Sequence, residues 1–525
     1  MSTTQVVPAT PGIFARASSG LVRTVSTTDT VYYGLNAITI AYVTFTMFLW
    51  PAYPGASYEW STLLVTIGAI GVGIVYALLA GVYPRSGGEY VFLSRIVRPE
   101  LGFVISFIQA FWYTFYFGIN GAFFSIYGLS PLFSVLGLQL HNQGLTSVGT
   151  WFASGWGIFV GGALVILLVA SMVYFGMHAY FRFQRWGTMV ALGSVAVTFI
   201  VLILGGTGVL DFQSAFNSVA GGGAYAAVTK GVVAPGFSMG QTLNFMVWPA
   251  FSILFSVNMV SFSGEIKNVR RGPLMGIVGA MVLCGAIFIL FMVLARFAMG
   301  NSFLIGSTGS HWPLASTSLA YVNATASILA GNWFLTIIIN LWVILIIPYA
   351  LGSNVIYASR ALLAWAIDGV APTALSNVSA RRHSPFVAIA LLFVFALVWL
   401  SIYAFTSVVA ILSGLLTFSV AFCVTSLTGL FFPWVKREVF ERSPAAIRVL
   451  GLPLISIAAV VGVVFTGFLL YRCIVDQTFG ANTTTSIEIS GGALVAALVW
   501  FYVARFIRQR QGVAVDKRFR EIPVE

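Results

Sequence analysis

Long apolar runs, each closed by a short cluster of charged or turn-forming residues, recur along the whole chain. Windows of this length predict membrane-spanning helices, because about 20 apolar residues are needed to cross the hydrocarbon core. Twelve are predicted, near residues 29–52, 61–83, 100–127, 152–176, 184–208, 241–264, 274–299, 332–358, 385–405, 407–432, 449–472 and 489–508. No connection is long enough for an appended soluble domain, and the longest are 128–150, 209–240 and 300–331.

Composition supports this reading. Of 525 residues 59% are apolar and 8% charged, against about 45–50% and 25% in soluble proteins. A soluble enzyme, a secreted scaffold and a nucleic-acid-binding domain are thereby excluded. The net charge of +12 is topological, since all basic residues except Lys230, Arg296 and Arg472 fall on one side of the alternating loops. The positive-inside rule puts that side, and both termini, in the cytoplasm of a multi-pass cell-membrane protein. The tail 1–28 holds Pro8, Pro11, Arg16 and Arg23 but no run of signal-peptide length, so insertion through the first span is expected. A second tail covers 509–525. Cys284, Cys423 and Cys473 read as small hydrophobes in helix packing. Asn323-Ala324-Thr325 and Asn482-Thr483-Thr484 match an external glycosylation pattern too short to decide anything.

The predicted interior is nearly free of ionisable groups. All 14 carboxylates fall in loops, tails or helix ends, and His141, His178, His311 and His383 in connections. This argues against a proton relay strung along the spans. Arg296 is the nearest exception and is expected to snorkel to the outer interface. With no His/Cys/Asp cluster of metal spacing, no metal, cofactor or enzymatic activity such as lipid-linked transfer is expected.

Small polar and aromatic residues take the place of charge. The first span reads Gly34-Leu35-Asn36-Ala37-Ile38-Thr39-Ile40-Ala41-Tyr42, and the sixth Trp248-Pro249-Ala250-Phe251-Ser252-Ile253-Leu254-Phe255-Ser256-Val257-Asn258. Pro249 removes a backbone donor, and Ser252, Ser256 and Asn258 offer replacements. The two interruptions lie at similar depth in spans of opposite direction, a sequence pointer to a transport site at the bilayer midplane. Half-helix starts there aim N–H groups at an anion. Packing alone accounts for either segment taken singly.

Three cytoplasmic segments resemble signatures of the amino acid–polyamine–organocation (APC) superfamily of permeases. Tyr83-Pro84-Arg85-Ser86-Gly87-Gly88-Glu89-Tyr90 is similar to its Pro-x-Ser-Gly-Gly-x-Tyr loop. Glu265-Ile266-Lys267-Asn268-Val269-Arg270-Arg271 resembles Glu-x-Lys-Asn-Pro-x-Arg, and 358–372, from Ala358-Ser359-Arg360 to Pro372, resembles a third signature. Each follows the span after which the superfamily carries it, and the resemblance covers about residues 20–440. It implies an all-α membrane protein of twelve helices in a five-plus-five inverted repeat (LeuT-like, or APC, fold) with broken helices 1 and 6. The repeats would be 29–208 and 241–432, followed by accessory helices over 449–508.

The resemblance also implies alternating access around a site between helices 1, 3, 6, 8 and 10. It places the unwound segments at Ile40-Ala41-Tyr42 and at Phe251 to Val257. The superfamily's glycines are replaced there by Ile40 and Tyr42, and by Phe255-Ser256-Val257, so either the break shifts toward Thr39 or the pocket has a different shape. In helix 3, Tyr113, Phe117 and Asn120 share one face, as a pocket wall or as a packing stripe. The candidate substrate residues are therefore Thr39, Ile40, Ala41, Tyr42, Tyr113, Phe117, Asn120, Phe251, Ser252, Phe255, Ser256 and Asn354, with Ser353 as a candidate ion ligand. The expected function is permeation of neutral, apolar or aromatic amino acids, with H+ or Na+ as candidate coupling ion. The alternatives are an exchanger and a non-transporting sensor on the same fold.

Overall fold

A computed structural model describes residues 19–406, 414–512 and 515–519. The predicted start of the tenth span at 407–413, and the tail positions Arg16 and Arg520, lie outside the described residues. Among those described, twelve helices are long and apolar enough to cross a bilayer. They are Thr27–Ala52, Tyr58–Val82, Pro99–Gln139, Gly155–Tyr174, Met177–Gly206, Met239–Ser261, Gly272–Met299, Trp333–Asp368, Phe386–Phe405, Leu415–Val435, Leu454–Val475 and Thr484–Arg510, here spans 1 to 12.

The two ends of the described chain meet the connection between spans 8 and 9 and the last turn of span 8. The carbonyl of Gly20 lies 3.0 Å from His383 Nδ1, and Arg518 donates to the carbonyl of Ile367 at 2.9 Å. That side is called the terminal face below. A short helix, Glu89–Ile96, lies along it between spans 2 and 3. Val25 pairs with Ile266 there, its N–H donating to the Glu265 carbonyl and its carbonyl accepting from Lys267.

Span 1 is an α-helix only as far as Ile38. Thr39 takes φ 60°, and helix resumes at Tyr42. A β-branched residue at positive φ is uncommon and holds about 1–3 kcal/mol of strain. Span 6 changes character twice. It pauses at Met246, and after Ile253 it tightens into a 3-10 helix over Leu254–Ser261. The first change follows from Pro249, whose ring excludes an α-turn onto the Phe245 carbonyl. A 3-10 stretch this long is unusual in mid-helix.

Two segments predicted as connections or helix ends belong to longer helices. Span 3 runs on to Gln139 through a π-helical turn at Phe124–Leu129. Pro131 has no N–H for the carbonyl of Tyr127, and that carbonyl accepts instead from Asn323 Nδ2 at 2.9 Å. Asn323, bonded also to Asn340 Oδ1 at 2.8 Å, is fully buried, so its glycosylation pattern is occupied by packing. Span 5 starts at Met177, which brings His178, expected in a connection, into its first turn.

Arg296, near the end of span 7, reaches Glu59 in the first turn of span 2 at 2.6 Å, a charge-assisted contact, with its guanidinium 5.4 Å from the Trp50 ring centroid. Spans 1 and 7 approach backbone to backbone at Gly34, where a Cβ would stand 1.9 Å from the carbonyl of Gly276. The three cysteines are free, with Cys284 and Cys473 buried in packing.

Candidate functional site

A cavity of about 440 Å³ opens where spans 1 and 6 lose regular helix. Span 1 contributes Ala37, Ile38, Thr39, Tyr42 and Phe45, and span 6 contributes Trp248, Phe251, Ser252 and Phe255. Span 3 supplies Asn120 and aromatic rings, and span 8 supplies Ala350, Ser353 and Asn354. The far end reaches Thr478, Phe479, Gly480 and Thr483, between spans 11 and 12 on the face opposite the termini.

The break in span 1 leaves main-chain groups unused. The N–H groups of Tyr42, Val43 and Thr44 each reach back three residues, to Thr39, Ile40 and Ala41. Those of Ile40 and Ala41 have no acceptor among the described residues. Buried N–H groups are rarely left so. Ser252 Oγ donates to the Ile38 carbonyl at 2.5 Å, fixing the two interruptions to each other. Asn354 Nδ2 is buried and unpartnered among the described residues, whereas the Ser353 hydroxyl is satisfied by Ala350 in its own helix.

Toward the terminal face an aromatic floor closes the cavity. Phe255 packs on Phe418 at 5.3 Å between ring centroids, and Tyr113 packs on Phe255 at 6.0 Å and on Phe418 at 5.1 Å. Tyr113 also donates a short hydrogen bond to Asn258 Oδ1 in the 3-10 segment of span 6. Toward the opposite face, Trp248 donates to Tyr53 at 2.7 Å and packs against Phe479 at 5.6 Å.

Of the residues proposed from sequence, Thr39, Tyr42, Asn120, Phe251, Ser252, Phe255, Ser353 and Asn354 line the cavity. Ile40 and Ala41, in the break itself, are buried and fall outside the lining. Tyr113 sits one layer below, in the floor. Phe117 and Ser256 are buried outside the lining, Ser256 turning its hydroxyl to the Ile253 carbonyl. Sequence reasoning missed Tyr116, Phe123 and Tyr127, which line the cavity with Asn120 at helical spacing. The spacing 116, 120, 123, 127 was the available signal.

Among the described residues, no Asp, Glu, Lys, Arg or His lines the cavity. It can hold a solute whose charges are met by main-chain dipoles and small polar side chains, and whose remainder is apolar. No group of His, Cys, Asp and Glu among the described residues is arranged to hold a metal ion. The family model described as amino acid permease matches residues 25–499. No curated protein matches the chain.

Proposed function

Because the chain belongs to the amino acid permease family of the APC superfamily, we propose that it carries neutral amino acids with apolar or aromatic side chains through the cavity between spans 1, 3, 6 and 8. Family membership, with twelve helices long and apolar enough to span a membrane, points to a multi-pass membrane transporter of amino acids. The observation that carries the finer reading is the wall itself, uncharged, rich in aromatic rings, and built on two helix interruptions. The free N–H groups of Ile40 and Ala41 suit the α-carboxylate. Nearby carbonyls and Ser252 suit the α-ammonium, and Phe251, Phe255 and Tyr116 would enclose the side chain.

Spans 1 to 5 and 6 to 10 serve as inverted repeats in this proposal, with spans 1 and 6 broken and spans 11 and 12 accessory. Transport alternates between opening past Trp248 and Phe479 and opening through the floor at Phe255, Tyr113 and Phe418. The terminal face is cytoplasmic, as the distribution of basic residues supports. Uptake of a pooled labelled mixture of neutral amino acids into proteoliposomes tests the proposal. Uptake reduced by unlabelled leucine or phenylalanine and unaffected by lysine or glutamate is expected. No uptake, or inhibition only by charged amino acids, rejects it. Binding without flux would instead favour a sensor.

A further inference from the structure

Among the described residues four carboxylates are buried, and three of them have an arginine. Glu265 lies 3.0 Å from Arg360, Asp368 lies 2.7 Å from Arg95, and Asp29 lies 2.7 Å from Arg185. The fourth, Glu89, begins the short helix Glu89–Ile96, is fully buried, and takes part in no ion pair among the described residues. An unpaired carboxylate in such a place is costly, and neutralisation by a proton is the usual remedy.

The contacts around Glu89 count the proton. Tyr357 OH lies 2.7 Å from Glu89 Oε2 and 2.6 Å from Gln109 Oε1, while Gln109 Nε2 lies 3.3 Å from Glu89 Oε1. One hydroxyl has one proton to donate, so two short oxygen–oxygen contacts need a second. A neutral Glu89 supplies it, its O–H donating to Tyr357 while Tyr357 donates to Gln109. Turning the Gln109 amide round moves the mismatch to the Glu89 Oε1 contact without removing it.

We propose that Glu89 is a proton-binding site whose occupancy holds the cavity floor closed on the terminal side. The inference rests on the transport reading above for its consequence, but the proton itself does not. Tyr357, the hydrogen-bond partner of Glu89, packs against Tyr113 with its ring tilted, at 4.2 Å between ring centroids, and Tyr113 is bonded to Asn258 in the 3-10 segment of span 6. Opening the floor toward the terminal face wets the carboxyl. Its O–H bond then breaks, water takes the proton as hydronium, and the carboxylate remains. Closure reverses the step, so acid on the terminal face favours the closed floor.

The groups facing Glu89 leave it without a counter-charge. Span 3 presents Gln109 and Tyr113, and span 2 presents Tyr76. Span 8 presents Tyr357, with Arg360 one turn on and held by Glu265. Span 10 has no Asp, Glu, Lys or Arg over Leu415–Val435, and the short helix itself has Arg95 engaged by Asp368. Burial raises the Glu89 carboxyl above its ordinary range, in agreement with the proton count.

The test uses the full chain. Infrared spectra of the purified wild type should contain a protonated-carboxyl band near neutral pH that fades in alkali and is absent from Glu89→Gln. No such band, or one that survives in Glu89→Gln, overturns the proposal. In proteoliposomes, counterflow of the pooled labelled neutral amino acids should rise with pH in the wild type. In Glu89→Gln it should be flat and about tenfold lower at the alkaline end, the change in ionised fraction between one pH unit below the pKa and one above it. An unaltered pH profile in Glu89→Gln also overturns it. If Glu89→Gln does not fold, Tyr357→Phe replaces it: the carboxyl band must shift, and an unmoved band counts against the proposal. A wild type with the band but no counterflow rejects the transport reading and leaves the proton in place.

Discussion

Ser252 Oγ donates a 2.5 Å hydrogen bond to the carbonyl of Ile38, the last helical residue before the interruption of span 1. The bond ties the two irregular segments that shape the cavity wall. Ser252→Ala strands a buried carbonyl, which costs about 1–3 kcal/mol. Thermal unfolding in detergent should therefore fall below that of the wild type, and neutral amino acids should stabilise the variant less.

Gly34 permits the closest backbone approach between spans 1 and 7. An added Cβ would lie 1.9 Å from the Gly276 carbonyl and 2.7 Å from the Ala280 Cβ. A backbone atom cannot swing aside as a side-chain tip can. Gly34→Ala should destabilise by about 1–3 kcal/mol or more, read as a lower melting temperature or as loss of the monodisperse peak.

Arg360 and Glu265 form a fully buried pair joining span 8 to the 3-10 turn Ser263–Glu265 that follows span 6. Arg360→Met leaves Glu265 without its counter-charge and should cost about 3–5 kcal/mol. Arg360→Met with Glu265→Leu should recover much of that loss, because both desolvation penalties go together. A double variant no more stable than the single one would show that the pair does more than neutralise charge.

The raised carboxyl of Glu89 fixes the sign of a pH effect on stability. A folded-state value above the unfolded one contributes stability that is complete below the ordinary glutamate range and is lost as pH rises through the folded value. The wild type should thus lose melting temperature relative to Glu89→Gln as pH rises from acid toward alkali. A difference between the two that stays constant with pH would contradict this.

The spans were legible in the sequence because hydrophobic run length is a one-dimensional signal that the bilayer enforces. Thr39 was legible as one of two sites for the break, since no glycine marks the segment and only the fold selects the residue left at φ 60°. The face of span 3 was harder. Rings at Phe111, Trp112, Tyr113, Phe115, Tyr116 and Phe117 surround the helix, so periodicity offers several faces, of which 116, 120, 123 and 127 is only one. Tyr113 and Asn120 do lie toward the cavity, and Phe117 is turned away from it. Glu89 was legible only as a loop residue, because its burial depends on spans 2, 3 and 8, which are remote in sequence.

The charge-free lining has a bearing on how such a protein diversifies. In the proposed binding mode the grip is made of peptide groups and is anonymous, since replacing a side chain leaves the peptide in place. Rings such as Phe251 and Phe255 can then be trimmed or enlarged to admit a different cargo while the handle common to all amino acids is still held.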